Sequence, residues 1–231
     1  MALGLFSSFL SACLVFILWR VSYVALGRKS QPRRTRRRSD CSHLAVFLGS
    51  GGHTSEALTL LSALDFNRYS PRTYIISAGD NLSTSKAIAL ELSKAAGSAA
   101  HSGKNRCYTI MTIPRARQVH QPLYTTPVTA IQSLLACLYH VTVLPIATRT
   151  SFADVLVLNG PGTCFVLCLA VAINRIMGLP SPRLVYVESF ARVRSLSISG
   201  KLLRPLVDRF VVQWPGLLRH YRRGEYLGWL V

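Results

Sequence analysis

Six short apolar runs punctuate the chain, each bounded by turn-forming residues: His43–Leu48, Arg72–Ser77, Cys107–Ile113, Val155–Leu158, Arg183–Val187 and Phe210–Val212. Runs this short and largely apolar predict the strands of a buried sheet. Between them lie longer stretches with helical spacing: His53–Leu64, Lys86–Ala96, Val128–Ala147, Thr163–Met177, Ser197–Leu203 and a short piece near Leu217–Arg222. Strands alternating with helices predict an α/β fold, a parallel sheet covered by helices on both faces. The segment Ala95–Arg106, small and polar, reads as a flexible loop. Val128–Ala147 is apolar enough for a membrane span, but Gln132, His140 and Pro145 would each burden a helix in lipid. It is expected to pack against the sheet, with one face free to touch a membrane.

A second kind of apolar run opens the chain. Residues 2–26 are almost wholly apolar, long enough to cross a bilayer core of roughly 30 Å. Arg20 is the exception and lies near the end of the span, where its guanidinium can reach the headgroups. Positive charge follows the run, in RKSQPRRTRRR, instead of preceding it as in a cleaved leader; this predicts one N-terminal transmembrane helix with its C-terminal flank in the cytosol. The organisation that results is an anchor at 2–26, a basic cytosolic linker at 27–41, one domain at 42–225 and a tail at 226–231.

Charge then changes the picture of partners. The formal net charge is +18, and seven of the positive charges lie between Arg28 and Arg38, leaving +11 on the rest. A basic domain behind a membrane anchor fits an anionic membrane surface or a phosphate-bearing ligand. Nucleic acid is not expected, because no aromatic–basic interleaving accompanies the arginines. The six cysteines show neither a zinc spacing nor a disulfide framework, in keeping with a reducing compartment. Cys164 and Cys168, one helical turn apart, read as small buried side chains.

Ligands of an open α/β sheet gather beyond the carboxyl ends of the strands, where two glycine-containing turns fall. Gly49-Ser50-Gly51-Gly52-His53-Thr54 joins the first strand to the first helix, and Asn159-Gly160-Pro161-Gly162-Thr163 joins the fourth strand to its helix. Glycines there let backbone approach a ligand, and the bare N–H groups of a new helix attract negative charge. Both turns read as a phosphate or diphosphate cradle. His53, at a helix start that favours a neutral ring, can donate to a phosphate or accept a proton; helix capping is the alternative. Of the nine acidic residues only Glu56, Asp80 and Glu188 fall near this edge. Glu188 ends a strand, where it can orient a hydroxyl or take its proton, or else pair with Arg192 or Arg194. Glu56 suits the dipole of the helix start, and Asp80 can equally be a loop residue.

Other chemistries find no support. No Gly-Lys-Ser/Thr follows the glycines, so there is no P-loop. The dinucleotide fingerprint would need its third glycine at Thr54, which counts against a membrane-bound dinucleotide oxidoreductase. His53 and Glu56 are two metal ligands without a third, so no metal is expected.

Six motifs in one order carry a resemblance: GSGGHT with Glu56, NGPGTC (Asn159–Cys164), VES-x-x-RV (Glu188–Val193), LSISGKLL (Leu196–Leu203), VVQWP (Val211–Pro215) and YLGWLV (Tyr226–Val231). From Leu44 to the C-terminus the chain resembles the membrane-anchoring subunits of the two-component UDP-N-acetylglucosamine transferase of the dolichol-linked oligosaccharide pathway of N-glycosylation. Arg115–Tyr124 departs from that family, with Gln118 and His120 where an acidic residue and a glycine are usual.

The resemblance implies a single Rossmann-like domain, the acceptor half of a split GT-B glycosyltransferase, facing the cytosol from the endoplasmic reticulum membrane. It implies a soluble catalytic subunit that binds the UDP-sugar and a dolichyl-diphosphate-linked sugar as acceptor, with no cofactor and no metal. A transferase of this architecture needs two α/β domains and only one fits after Cys41, so either the chain is not a transferase or the other half is a second polypeptide. Mapped onto these positions, His53 or Glu188 would be the base. Gly49, Ser50, Gly51, Gly52, Thr54, Asn159, Gly160, Gly162, Thr163, Arg192 and Lys201 would hold the acceptor diphosphate. Tyr226, Leu227, Trp229, Leu230 and Val231 would dock the partner. A pure membrane scaffold without acceptor contacts is the alternative.

Overall fold

The computed structural model describes residues 20, 22, 41–97, 107–118, 121–160, 162–218 and 224–230. The expected anchor apart from residues 20 and 22, the linker before Cys41, residues 98–106, Val119, His120, Pro161, residues 219–223 and Val231 lie outside the described residues.

Seven parallel strands form one sheet in the order β3-β2-β1-β4-β5-β6-β7, with β1 Leu44–Leu48, β2 Arg72–Ser77, β3 Tyr108–Ile113, β4 Val155–Asn159, β5 Arg183–Val187, β6 Arg209–Val212 and β7 Glu225–Tyr226. The helices are α1 Gly52–Ser62, α2 Asn81–Gly97, α3 Thr126–Thr148, α4 Thr163–Met177 and α5 Ile198–Leu203. The side-chain period of two explains why β1 is apolar throughout. Leu44, Val46 and Leu48 of β1 face a core closed by Ala57 and Leu61 of α1 and Ala87 of α2. Ala45 and Phe47 face the opposite core, with Cys137 and Val141 of α3 and Cys164, Leu167 and Val171 of α4. A parallel sheet with both faces covered is what the alternating pattern predicted, and it is the Rossmann-like domain that the resemblance implied.

Three details exceed that prediction. Helix α2 begins at Asn81, five residues before the expected Lys86, because Asp80 accepts the Ser83 N–H at 3.1 Å as an N-cap. A seventh strand, β7, pairs with β6 and closes the sheet edge where only a tail was expected. Of the helix expected near Leu217–Arg222, the described residues hold a 3₁₀ turn over Pro215–Leu218, and residues 219–222 lie outside the described residues.

Helix α3 is long and apolar enough to cross a membrane, yet one seam of it, Ser133, Cys137 and Val141, is buried against the fold. Tyr139–Val143 forms a π segment ahead of Pro145. Proline has no N–H to give the carbonyl four residues earlier, that of Val141, and Asn174 of α4 supplies a donor to it at 3.2 Å. Thr142 donates to the same amide at 2.6 Å, so the buried Asn174 stitches α4 to the irregular turn. Arg20 does not extend away from the domain: its guanidinium donates to the carbonyls of Ile176 (2.8 Å) and Arg175 (3.2 Å) at the C-terminal end of α4. A cation there suits the helix dipole.

Candidate functional site

The sheet order reverses between β1 and β4, and both glycine-containing turns leave the sheet there. They touch. A Cβ on Gly49 would stand 2.6 Å from the Asn159 carbonyl oxygen and 2.9 Å from the Gly160 Cα, and Gly160 itself has φ +140°. Only glycine permits this crossing. Ser50 (φ 71°) and Gly51 (φ 55°) then turn the chain through left-handed backbone into α1. Neither α1, with Gly51 at its N-cap, nor α4, with Gly162, has a side-chain cap or an acidic residue in its first turn. By contrast, the short α5 is capped by Ser197, whose hydroxyl accepts the Gly200 N–H. The two longer helices therefore bring uncapped N–H groups to one crevice, the arrangement that suits an anion.

Around this crossing the polar side chains form two networks. In the first, His53 Nδ1 lies 2.8 Å from Asn159 Oδ1, Asn159 Nδ2 donates to Glu56 at 3.0 Å, and Ser189 Oγ donates to the other Glu56 oxygen at 2.8 Å. Residues from α1, β4 and the β5 turn thus meet at one point. Glu56 is not in the first turn of α1, which begins at Gly52, and serves this chain of hydrogen bonds rather than the dipole. Asn159 is fully buried, with both ends of its amide engaged. In the second network Asp80 accepts from Ser50 Oγ and Ser83 Oγ, each at 2.6 Å, and the buried Thr54 hydroxyl shares a 2.6 Å bond with Ser83. Burial pushes the Asp80 carboxyl up, but the hydrogen bonds from Ser50 and Ser83, with the Arg115 charge, outweigh it and hold the group below its usual value. This network ties the β1 turn to the start of α2.

Glu188 is placed differently from the sequence expectation. It is buried, and its carboxylate pairs with neither Arg192 nor Arg194 among the described residues. One oxygen accepts from Ser197 N and Ser197 Oγ (both 3.1 Å), the other from Ser189 N (3.1 Å). It braces the turn into α5 from inside. Arg192, Arg194 and Lys201 are exposed, and Thr163 turns its hydroxyl to accept the Ala116 N–H at 3.3 Å. Among the described residues no group of three or more His, Cys, Asp or Glu could hold a metal ion.

The C-terminal segment reaches the same region from the far edge. Leu230 N donates to Gln213 Oε1 at 3.3 Å, and Gln213 Nε2 donates to the Glu188 carbonyl at 3.1 Å. Phe190, Trp214 and Trp229 cluster, with Trp214 Nε1 donating to the Phe190 carbonyl at 2.7 Å. Tyr226, Leu227 and Trp229 nonetheless stay exposed.

The family described as "Oligosaccharide biosynthesis protein Alg14 like" matches residues 44–230. The chain belongs to the Alg14 family. The matched stretch opens on the first residue of β1 and runs past β7, so every strand and both crossing turns belong to the Alg14 domain. The UDP-N-acetylglucosamine transferase subunit ALG14 of Cryptococcus neoformans (strain JEC21) is 47% identical over 201 residues, covering 86% of this chain and 85% of the relative. That of Schizosaccharomyces pombe is 47% identical over 186 residues (80% and 82%), and that of Homo sapiens 37% over 220 (95% and 94%). Among solved structures, Acinetobacter baumannii MurG aligns with TM-score 0.47 at 13% identity, covering 81% of this chain and 44% of that one. The resemblance drawn from the six motifs is therefore borne out at the level of the Alg14 family.

What the sequence did not bring forward is the partnership of Ser189, Asn159 and Glu56. Ser189 carried no signal beyond its place in VES-x-x-RV, and its partner Glu56 lies more than a hundred positions away.

Proposed function

We propose that this chain is the membrane-anchoring, acceptor-facing subunit of a heteromeric UDP-N-acetylglucosamine transferase, adding the second N-acetylglucosamine to dolichyl-diphosphate-N-acetylglucosamine and recruiting a soluble catalytic subunit. The observation that carries this reading is the convergence of two uncapped helix N-termini on the Gly49–Gly160 crossing, beside His53. A diphosphate would lie against the N–H groups of Gly52, His53, Gly162 and Thr163, with Arg192 and Lys201 offsetting its charge from the rim. The names of the relatives, each a transferase subunit, support a partner that supplies the nucleotide sugar.

In this mechanism the acceptor hydroxyl oxygen attacks the anomeric carbon of the UDP-sugar held by the partner. The new C–O bond forms as the bond to UDP breaks, and the hydroxyl proton passes to His53 Nε2. With its carboxylate committed to Ser197 and Ser189, Glu188 is the poorer base and is assigned to bracing the turn.

A membrane-bound acceptor also needs the crevice near the lipid. Val128, Ile131, Leu135, Tyr139, Val143 and Ile146 run along one exposed face of α3. This face, together with an anchor whose Arg20 grips the end of α4, favours a domain lying on its α3 side, on the cytosolic face of the endoplasmic reticulum membrane. The test is transfer by the reconstituted pair, with each subunit alone as control. His53→Ala is expected to lower turnover by about 10²–10⁴-fold with assembly intact. Near-normal turnover in the assembled variant would remove the base, and unchanged acceptor affinity in Gly49→Ala as well would leave the chain a membrane scaffold.

A further inference from the structure

A histidine works as a base only through a nitrogen that carries no proton, and in a neutral ring the partner of the other nitrogen decides which one that is. His53 has one hydrogen-bonding partner among the described residues, Asn159 Oδ1, 2.8 Å from Nδ1. A carbonyl oxygen accepts only, so this contact requires Nδ1 to bear the proton and leaves the Nε2 lone pair free. Asn159 itself is ambiguous in shape, since rotating the amide by half a turn would present a donor to His53 instead. Glu56 removes the ambiguity: a carboxylate accepts only, and it takes Asn159 Nδ2 at 3.0 Å. Glu56 is in turn held by Ser189 Oγ at 2.8 Å.

We propose that Glu56 and Ser189 are positioning residues of the transfer reaction, acting through Asn159 to hold His53 in the Nδ1–H tautomer. The proposal rests on the reading of His53 as the base, and it assigns Asn159 to tautomer control instead of diphosphate binding. It also gives a role to the bond between the fully buried Asn159 amide and the half-buried Glu56 carboxylate, which forms no ion pair among the described residues. An orienting group that presents a donor in place of an acceptor strands a catalytic histidine in the wrong tautomer at large cost to turnover.

The experiment uses the reconstituted two-subunit complex, with turnover measured against pH and the ring nitrogens of His53 observed by ¹⁵N NMR, assigned with His53→Gln. Glu56→Leu frees the Asn159 amide; expected are a fall in kcat of about 10²-fold or more with KM little changed, and loss of the Nδ1–H signature. Glu56→Gln can still accept from Asn159 while donating to Ser189, and is expected to rescue most of the turnover and the tautomer. Asn159→Asp keeps an acceptor toward His53 but adds a charge that stabilises the imidazolium, so the acidic limb of the kcat/KM profile should move to higher pH. Combining it with Glu56→Gln relieves the two adjacent carboxylates and should recover turnover. If Glu56→Leu leaves kcat and the tautomer unchanged while His53→Ala is inactive, the positioning role is overturned and the base stands. If His53→Ala itself turns over normally, the base reading fails and the positioning role in transfer falls with it. The ¹⁵N signature in Glu56→Leu then still decides, on its own, whether Glu56 sets the tautomer.

Discussion

At Gly200 a single methyl group would stand 2.1 Å from Glu188 Oε2, so α5 can begin where it does only because that position is bare. The carboxylate accepts from two backbone N–H groups and a serine hydroxyl, and all of these are donors. Glu188→Gln would turn an NH₂ group onto one set of them. We expect a loss of about 1–3 kcal/mol in urea unfolding, with turnover per assembled complex largely kept. A loss of turnover of about 10²-fold without loss of stability would return Glu188 to the role of base. Asp80 behaves differently with pH. Its folded pKa lies below the unfolded value, so its stabilising contribution is complete above that value, about pH 4, and disappears as pH falls through the folded one. Asp80→Asn should therefore flatten the dependence of stability on pH in the acid range below about pH 4 and lower stability near neutrality; an unchanged acid limb would show that the network of Ser50 and Ser83 does not act through the charge. At this scale the sequence was legible where a residue type has one use. Gly49 and Gly160 were singled out because glycine at a strand-to-helix turn lets backbone come close, here to the other turn, whereas the partners of Glu188 were not legible because a carboxylate at a strand end serves a crevice or a helix cap equally well.

Secondary-structure elements were read best where burial is two-sided, since β1 is an unbroken apolar run and β4 and β5 are nearly so, a length and pattern that no helix would need. Two-residue β7 carries no period at all, and its pairing is fixed by β6 and by the ion pair of Arg209 with Glu225. The start of α2 was missed because Asn81–Ser85 is polar and its cap, Asp80, does double duty with Ser50. Helix α3 shows the most informative mismatch between pattern and exposure. Its buried seam mixes Cys137 and Val141 with polar groups, Ser133 donating to the Pro114 carbonyl at 2.8 Å and Thr129 to that of Ala116 at 2.8 Å, while many large apolar side chains face outward. A helix solvated on its outer face would be expected to reverse that pattern. If the stripe rests on a membrane, Ile131→Glu with Leu135→Glu should raise the apparent KM for a dolichyl-linked acceptor in vesicles by about tenfold or more. Transfer to a short-chain soluble analogue of the same acceptor should stay within about twofold. Equal loss on both substrates would mean that the stripe supports the fold or the crevice instead.

For the whole molecule, one sheet connects the two places where this subunit would meet others: the crossing between β1 and β4 and the edge at β7. The parallel sheet was legible from alternation, and the expectation of a second polypeptide rested on the resemblance as well. The arrangement of the edge was not legible, because the tail was read as a partner-docking segment with no strand assigned to it. In the structure it is already fastened, by the β6–β7 pairing, by Leu230 to Gln213 and by Trp229 against Phe190 and Trp214. Docking would therefore use a surface presented by the sheet edge and lose little chain entropy in ordering it. Trp229 is 67% exposed, and Tyr226 and Leu227 flank it with partly exposed apolar area of their own. A tryptophan that becomes buried at the centre of an interface contributes on the order of 2 kcal/mol or more, so Trp229→Ala should weaken assembly by roughly 30-fold or more. Titrating the labelled soluble subunit into detergent-solubilised protein measures this directly. Because Trp229 also packs on Phe190, the thermal midpoint of the isolated subunit must be followed in parallel. A weakened assembly with an unchanged midpoint assigns the loss to the interface. A lowered midpoint with full-strength assembly would make Trp229 a clasp for the β7 edge alone, and the docking surface would then have to lie elsewhere on the domain.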